Sequence, residues 1–212
     1  MATPTLGAWK ALKRLGRYLT SHPRMVIEYR WQGRENEVCG FSDSDWAGCR
    51  VTGKSTSGGA IMIGSHFIKG WSRTQNSVTL SSAEAELVAI CKLSAEVLGC
   101  LAMLKEWGDE KKAIVMGDSS AALAVVQRKG SGKLRHINIG LLWVQEKSTR
   151  KELEFKKVPG ETNPADLMTK HLTEVKAKGH CEKLQIRARE GRAEVSLKVQ
   201  EGGAMQGKAE AL

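Results

Sequence analysis

Four acidic side chains lie where a metal site would be easy to build: Asp43, Glu86, Asp118 and Asp166. Two of them end predicted strands, and the other two lie in the first turns of predicted helices. Hard divalent cations such as Mg²⁺ bind carboxylate oxygens, water and substrate phosphate. A pair of such ions can activate a water molecule and stabilise the leaving oxygen in phosphodiester hydrolysis. Brought together, the four acids would form a metal-dependent hydrolytic site, whereas each acid alone also fits a turn or a helix terminus.

Two of these acids have an acidic neighbour that could take the same role. Asp43 and Asp45 share strand parity, so both can face the same side of a sheet. A capping box fits Ser81 to Glu84, in which Glu84 reaches back to the start of the helix. At about 100° per residue, Glu86 lies roughly 50° and Glu84 roughly 110° from the centre of the apolar stripe of this helix. Glu86 therefore leans toward the expected sheet, and Glu84 is interpreted as the cap.

Hydrophobic periodicity predicts the elements that would position these acids. Helices are expected over residues 8–20, from about Ser82 to Trp107, over 119–129 and 137–149, and after Asn163-Pro164. Strands are expected over residues 25–31, 37–43, 59–64, 66–72, 112–118 and 152–158. Several strands, a long helix and then alternating strands and helices predict an α/β domain with a mixed sheet.

Composition narrows the class of protein. A formal net charge of +10 suits a polyanionic partner such as nucleic acid. The five cysteines are odd in number and form no CxxC motif, which argues against a disulfide framework or zinc site. No apolar run approaches the roughly 20 residues that cross a bilayer, and the N-terminus lacks a signal-peptide core. We therefore expect a cytoplasmic or nuclear protein that is not secreted and has no membrane partner.

Six short motifs follow one another along the chain: GFSDSDWAG (40–48), GKSTSGG (53–59), TLSSAEAELVAI (79–90), VMGDSSAAL (115–123), LRHINI (134–139) and VPGETNPADLMTK (158–170). As an ordered set they closely resemble the RNase H domain of copia-type retrotransposon Pol polyproteins. The N-terminal AWKALKRLGRYL resembles the segment that joins reverse transcriptase to RNase H in that family. The resemblance extends over residues 8 to 180.

The resemblance implies an RNase H-like fold, an α/β domain with a five-stranded mixed sheet flanked by helices. It implies that four carboxylates gather at one end of the sheet and hold two Mg²⁺ or Mn²⁺ ions: Asp43, Glu86, Asp118 and Asp166. The family pattern places the acid at the first Asp of S-D-x-D, which favours Asp43 and leaves Asp45 as a helper. The implied activity is that of a ribonuclease H, an endonuclease that hydrolyses the RNA strand of RNA–DNA hybrids. A catalytically inactive nucleic-acid-binding remnant of the same fold is the alternative.

Polar and basic side chains near these motifs are candidates for contacting the hybrid: Asp45, Lys54, Ser55, Thr56, Ser119, Lys133, Arg135 and His136. Residues 54–56 follow a predicted turn and begin a strand, where they could contact phosphates. The basic residues from 129 to 136 surround a Gly-Ser-Gly segment and could do the same. Many RNases H carry a histidine in the loop before the last acid, whereas this chain has Gly160-Glu161-Thr162 there.

A competing motif spans residues 48–55, from Gly48 to Ser55, and matches the GxxxxGK[ST] pattern of P-loop nucleotide-binding proteins. That motif needs a helix directly after it, so that the helix N-terminus faces phosphate. Here two adjacent glycines and β-branched residues follow, which predict a turn and a strand. The P-loop interpretation is therefore the minor alternative.

Three parts are predicted along the chain. Residues 1–24 would form a connecting helix from a reverse-transcriptase-like region, residues 25–180 the RNase H-like domain, and residues 181–212 a polar, flexible C-terminal tail. The implied partners are the RNA–DNA hybrid and the reverse transcriptase part of the same polyprotein. A retroelement protein of this kind would be found in the cytoplasm, the nucleus or a virus-like particle.

Overall fold

The computed structural model describes residues 5–130, 132, 138–191 and 193 of the chain. Contacts between residues divide the chain into two compact units, one over Ile27–Arg187 and one formed by Met1–Val26 with Ala188–Leu212. All four predicted metal ligands belong to the larger unit. That unit extends past residue 180, where the sequence places the end of the RNase H-like domain, and the three predicted parts of the chain stay predictions.

Five α-helices occur within the described residues: α1 (Leu6–Ser21), α2 (Ser82–Glu106), α3 (Ser120–Gln127), α4 (Trp143–Thr149) and α5 (Glu174–Lys183). The strands there are β1 (Arg24–Ile27), β2 (Glu37–Asp45), β3 (Thr56–Ile63), β4 (His66–Thr74), β5 (Lys112–Gly117), β6 (Glu154–Lys157) and β7 (Ile186–Arg189). Short 3₁₀ helices span Ile139–Leu141, Gly160–Thr162 and Pro164–Met168. The order of elements follows the sequence prediction, with changes at residues 25–31, at 137–149 and in the last core helix, and α5 and β7 are two further elements that the sequence did not predict.

The main sheet has five strands in the order β4-β3-β2-β5-β6. Strand β2 runs antiparallel to β3 and parallel to β5, and β5 runs parallel to β6. The central strand β2 is covered on both faces, which explains why its residues are almost continuously buried instead of alternating. The predicted fold class, an α/β domain with a five-stranded mixed sheet flanked by helices, is confirmed.

Helix α2 covers one face of this sheet. Its wholly buried apolar residues recur at helical spacing and include Leu87, Ile90, Leu93 and Val97. They belong to the main hydrophobic core together with residues of β2 and β5. A close approach is possible at Gly40 on β2, because a Cβ atom there would lie only 2.8 Å from Cγ2 of Val97. The glycine therefore seats α2 directly on the central strand.

The start of α2 is capped as the sequence predicts. Ser81 Oγ accepts a hydrogen bond from the backbone N–H of Glu84 at 3.2 Å. Glu84 Oε2 accepts one from the backbone N–H of Leu80 at 2.8 Å. In a capping box this glutamate would accept from the backbone N–H of the cap residue, Ser81. Here it accepts from that of the preceding residue, Leu80. The interpretation of Glu84 as a capping residue is confirmed.

By length and composition alone, α2 could cross a membrane, contrary to the expectation that no segment qualifies. One face of the helix packs on the main sheet, and its buried residues include Glu84 and Glu86. The core helix of an α/β domain accounts for this composition, because such a helix is apolar over the wide stripe that it buries.

The 3₁₀ helix Pro164–Met168 and α5 lie on the other face of the sheet. Ala165 of the 3₁₀ helix and Leu184, which directly follows α5, belong to a second hydrophobic cluster that includes Phe41 of β2. The two adjacent glycines of β3 allow this packing. A Cβ atom at Gly58 would lie 2.7 Å from Cβ of Met168, and one at Gly59 would lie 2.2 Å from the Trp71 ring. Consecutive strand residues point to opposite faces, so each glycine permits a close contact on its own side.

The prediction that Asn163-Pro164 opens the last core α-helix is wrong. These residues open the 3₁₀ helix Pro164–Met168, and the next α-helix begins only at Glu174. The backbone N–H of Asp166 donates to Asn163 O, and that of Thr169 donates to Asp166 O, both at 3.2 Å. These three-residue steps are the tighter 3₁₀ pattern.

The helix predicted over residues 137–149 is interrupted. Within the described residues, the 3₁₀ helix Ile139–Leu141 precedes the shorter α4. Asn138 Oδ1 accepts from the backbone N–H of Gly140 at 2.8 Å, a local bond that competes with continuous helix.

The strand predicted over residues 25–31 is shorter than expected and lies outside the five-stranded sheet. It ends at Ile27 and pairs with β7 in a separate two-stranded sheet. Beyond it, side chains replace a backbone ladder: Tyr29 Oη donates to Phe67 O and Gln32 Nε2 donates to Ile63 O, each at 2.9 Å.

The predicted N-terminal helix is present as α1. Thr5 caps it by accepting from the backbone N–H of Ala8 at 3.1 Å, and no residue of α1 is buried. Most of the predicted C-terminal tail, residues 194–212, lies outside the described residues.

Candidate metal centre

Three carboxylates meet at one end of the main sheet. One carboxylate oxygen each from Asp43, Glu86 and Asp118 lies within 4.8 Å of the other two. Asp43 lies near the end of β2, and Asp118 directly follows β5. The two strands are parallel neighbours, so their C-terminal ends lie side by side. The first turns of α2 contribute Glu86.

The fourth predicted acid, Asp166, joins this group through a lysine. Lys170 Nζ lies 2.9 Å from Oδ1 of Asp43 and 2.9 Å from Oδ1 of Asp166. The hydroxyl of Thr169 donates a hydrogen bond to the other oxygen of Asp43. The structure therefore brings all four predicted acids to one end of the sheet. It also places Lys170 and Thr169 there, which the sequence interpretation missed.

Burial and like charge dominate the electrostatics of the cluster. Burial, followed by the charges of Asp43 and Asp118, raises the pKa of Glu86 to about 8. Burial also raises the pKa of Asp118 and of Asp166. Two hydrogen-bonded carboxylates hold the pKa of Lys170 above its ordinary value despite partial burial. The site therefore carries an excess of negative charge. Among the described residues, only one cationic side chain, that of Lys170, contacts it directly.

The donor set fits a hard divalent cation. Glu86 Oε1 accepts a hydrogen bond from the backbone N–H of Ser44 at 3.2 Å. Its other oxygen, Oε2, is buried and has no hydrogen-bond partner among the described residues. A buried acceptor without a donor is costly, and carboxylate oxygens are the ligands that Mg²⁺ prefers. A cation bound among these oxygens would remove that cost.

A buried glutamine supports the strand end beside the cluster. Gln75 Nε2 lies 2.9 Å from Ser57 Oγ, 2.9 Å from Ala85 O and 3.3 Å from Ser44 Oγ. It therefore links β2, β3 and the first turn of α2, directly before Glu86. The sequence gives little warning of this role, because Gln75 lies in a polar connecting segment.

Lys54 and Ser55 lie at the turn before β3, and Thr56 is the first residue of that strand. Ser55 is wholly buried, and its hydroxyl accepts from the backbone N–H of Ala47 at 3.0 Å and lies 3.2 Å from Thr79 Oγ1. The side chain of Ser55 therefore holds the turn together, and its predicted contact with substrate stays a prediction. Lys54 and Thr56 are partly exposed, and their predicted contacts with nucleic acid stay predictions.

The remaining predicted contact residues fall into two groups. Asp45 is partly buried and accepts a hydrogen bond from the backbone N–H of Thr56, so it stabilises the β2–β3 connection. Ser119 caps α3 by accepting from the backbone N–H of Ala122 at 3.2 Å. These bonds give Asp45 and Ser119 structural roles, and their predicted contacts with substrate stay predictions. The other three lie outside the described residues: Lys133, Arg135 and His136.

The P-loop interpretation of residues 48–55 is wrong. Strand β3 begins at Thr56, directly after the motif, and pairs antiparallel with β2. A P-loop needs a helix at this position to face phosphate, and the helix is absent from these described residues.

Asn163 connects the 3₁₀ helix that carries Asp166 to the central strand. It is wholly buried; its Nδ2 donates to Ser42 O at 2.8 Å, and its Oδ1 accepts from the backbone N–H of Ala165 at 3.2 Å. Asn163→Ala leaves both backbone groups without these bonds. We expect it to lower the free energy of unfolding by about 2–4 kcal/mol, measured by urea denaturation. The matched control Asn76→Ala removes an exposed amide and should change stability by less than about 0.5 kcal/mol; equal effects in the two variants would contradict this role.

No protein-family model matches the chain. The chain is 28% identical over 164 residues to the retrovirus-related Pol polyprotein from transposon TNT 1-94 of Nicotiana tabacum, a match that covers 76% of this chain and 12% of that protein. It is 28% identical over 189 residues to the Pol polyprotein from transposon RE2 of Arabidopsis thaliana, covering 88% of this chain and 13% of that protein. The chain thus spans about one eighth of the length of these relatives.

Among solved structures, LC11-RNase H1 isolated from compost is 22% identical, with a TM-score of 0.42, covering 63% of this chain and 93% of that one. The five-stranded mixed sheet, with the four acids at one end of it, agrees with what the motifs imply. The chain is similar in sequence to a short part of retrovirus-related Pol polyproteins of transposons, and the predicted resemblance to copia-type Pol polyproteins is confirmed.

Proposed function

We propose that this chain is a divalent-cation-dependent endonuclease that hydrolyses the RNA strand of RNA–DNA hybrids. The observation that supports the proposal most is the buried carboxylate cluster, in which Glu86 Oε2 has no partner among the described residues. Such a cluster destabilises the fold unless a cation binds it, so it is difficult to explain by structure alone. The relationship to transposon Pol polyproteins supports a nucleic-acid substrate.

The chain's own residues prepare the site for two Mg²⁺ or Mn²⁺ ions, held by Asp43, Glu86, Asp118 and Asp166. When bound, the ions would lower the pKa of a water molecule and stabilise the departing 3′ oxygen. Two of the acids lie at the ends of paired strands, so the sheet fixes their separation. The hydrogen bond from the Ser44 N–H fixes one oxygen of Glu86 and leaves the other available to a ligand.

The overall charge of the chain suits a nucleic-acid partner. The chain carries a formal net charge of +10, which favours binding to phosphates without regard to sequence. Selection for RNA would come from contacts with 2′-hydroxyl groups in the wide, shallow minor groove of the hybrid. Lys54, just before β3, and Thr56, its first residue, are the partly exposed candidates for phosphate contact.

The proposal is tested with the purified full chain and three duplexes of one sequence: an RNA–DNA hybrid, a DNA duplex and an RNA duplex. In Mg²⁺ the chain is expected to cut the RNA of the hybrid and to leave the DNA duplex intact. A chelator should stop cleavage, and added Mn²⁺ should restore it. Hybrid binding without cleavage in either cation would overturn the proposal and indicate an inactive nucleic-acid-binding remnant.

A further inference from the structure

Lys170 divides the carboxylate cluster into two unlike halves. Its ammonium lies 2.9 Å from an oxygen of Asp43 and 2.9 Å from an oxygen of Asp166. Among the described residues, no lysine or arginine forms an ion pair with Glu86 or Asp118. One half of the cluster, between Asp43 and Asp166, therefore already holds a positive charge. The other half, formed by Asp43, Glu86 and Asp118, keeps an unpartnered buried oxygen.

We propose that Lys170 is an internal counter-ion that occupies the Asp43–Asp166 half of the cluster, and that a divalent cation binds this half only when the ammonium withdraws. The inference rests on the proposed function, because it concerns the same metal centre. It adds an order of binding: the first cation enters the open half, and the second must displace Lys170.

The position of Lys170 permits this displacement. The side chains of Asp43 and Asp166 are 1% and 12% exposed, whereas that of Lys170 is 39% exposed. Lys170 follows the end of the 3₁₀ helix at Met168, and its long side chain can rotate into solvent without movement of the backbone. The two aspartates cannot follow it, because Asp43 belongs to the central strand and Asp166 to the 3₁₀ helix.

If the ion pairs of Lys170 were only structural, removing the lysine would affect metal binding differently. If Lys170 only stabilised the fold, its removal would lower stability and leave the relative affinities of two metal sites unchanged. If it competes with a cation, its removal should strengthen the weaker site selectively, because a unit charge a few ångströms away would no longer oppose binding.

The test is a Mn²⁺ titration of the full chain by isothermal calorimetry, with bound Mn²⁺ counted by electron paramagnetic resonance. Wild type is expected to show one tighter and one weaker site. In Lys170→Met the weaker site should tighten by at least about 10-fold relative to the tighter one, and in Lys170→Arg, which keeps the charge, it should not tighten. Lys92→Met is the matched control, because the side chain of Lys92 is also 39% exposed and pairs with an acid four residues away, Glu96, at 2.6 Å.

A second measurement needs no variant. The amine of Lys170 in wild type is expected to become more reactive toward reductive methylation, followed by mass spectrometry, when Mn²⁺ is raised through the weaker transition. Metal binding with unchanged site affinities in Lys170→Met and unchanged amine reactivity would overturn this inference and leave the proposed function standing. Absence of Mn²⁺ binding in wild type and in Lys170→Met alike would instead refute the proposed metal centre.

Discussion

Asp118→Asn is expected to reduce cleavage of an RNA–DNA hybrid by about three orders of magnitude. The substitution keeps the size of the side chain and removes one of the three carboxylates that lie within 4.8 Å of one another. Losing a ligand of a catalytic ion forfeits several kcal/mol of transition-state stabilisation, and about 4 kcal/mol corresponds to a factor near 1,000. The measurement is the single-turnover cleavage rate at saturating Mg²⁺.

Asp109→Asn is the matched control for this loss. Asp109 lies before β5, whereas Asp118 lies after it, so the two acids flank opposite ends of the same strand. Asp109 forms ion pairs with Arg34 at 2.9 Å and Lys111 at 2.8 Å. The exposed Arg34 pair contributes about 0–1 kcal/mol, and the buried ammonium of Lys111 keeps its bond to Glu35 O, so the control should keep cleavage within about twofold. Full activity in Asp118→Asn would contradict the assignment of the site.

Glu86→Gln is expected to stabilise the metal-free protein at alkaline pH while it abolishes cleavage. Burial and the charges of Asp43 and Asp118 oppose ionisation of Glu86 and raise its pKa to about 8. A glutamine carries no charge, and its amide can donate to the neighbouring carboxylates. We expect a gain of about 2–4 kcal/mol in the free energy of unfolding at pH 9, less than the full shift implies, because water penetration relieves part of the burial cost.

The pH dependence of this gain has a definite sign. The folded-state pKa of Glu86 is raised, so the folded state holds its proton more tightly than the unfolded state does. The wild-type protein therefore loses stability as pH rises from the ordinary value of 4.5 through about 8. Below pH 4.5 both states are protonated, and the advantage of Glu86→Gln should vanish. Chelator-treated protein measured by urea unfolding at several pH values tests this.

Glu84→Gln is the control for the stability prediction. Glu84 lies two positions before Glu86 on α2, and its Oε2 accepts from the Leu80 N–H, a bond that a glutamine oxygen can also accept. Its effect on stability should be small and should not grow between pH 4.5 and 9. A pH-independent change in Glu86→Gln, or destabilisation at pH 9, would show that the carboxylate is not held in a costly charged state.

Hydrophobic periodicity predicts the elements that carry three of the acids. Strand β2, strand β5 and helix α2 are each long and strongly patterned, so local sequence and tertiary packing agree. The choice of Glu86 over Glu84 also follows from the sequence, because a 100° step per residue turns only Glu86 toward the apolar stripe. The cap that Glu84 forms in the structure agrees with that choice.

The parts that sequence could not supply depend on contacts between distant segments. Ser55 looks like an exposed turn residue, yet it is buried and its hydroxyl lies 3.2 Å from that of Thr79. The role of Lys170 requires the end of β2 to lie beside the 3₁₀ helix, far along the chain. One signal was available: Asp166 and Lys170 are four residues apart, a spacing at which opposite charges pair.

The chemistry of the cleaved ends tests the central claim most directly. Hybrid RNA cut by the full chain in Mg²⁺ should carry 5′-phosphate and 3′-hydroxyl ends, because water activated at the carboxylate cluster attacks the phosphate and the 3′ oxygen departs. The ends can be read by mass spectrometry of the RNA fragments, with Asp118→Asn run in parallel. Fragments ending in a 2′,3′-cyclic phosphate, or cleavage that persists in chelator, would contradict the account.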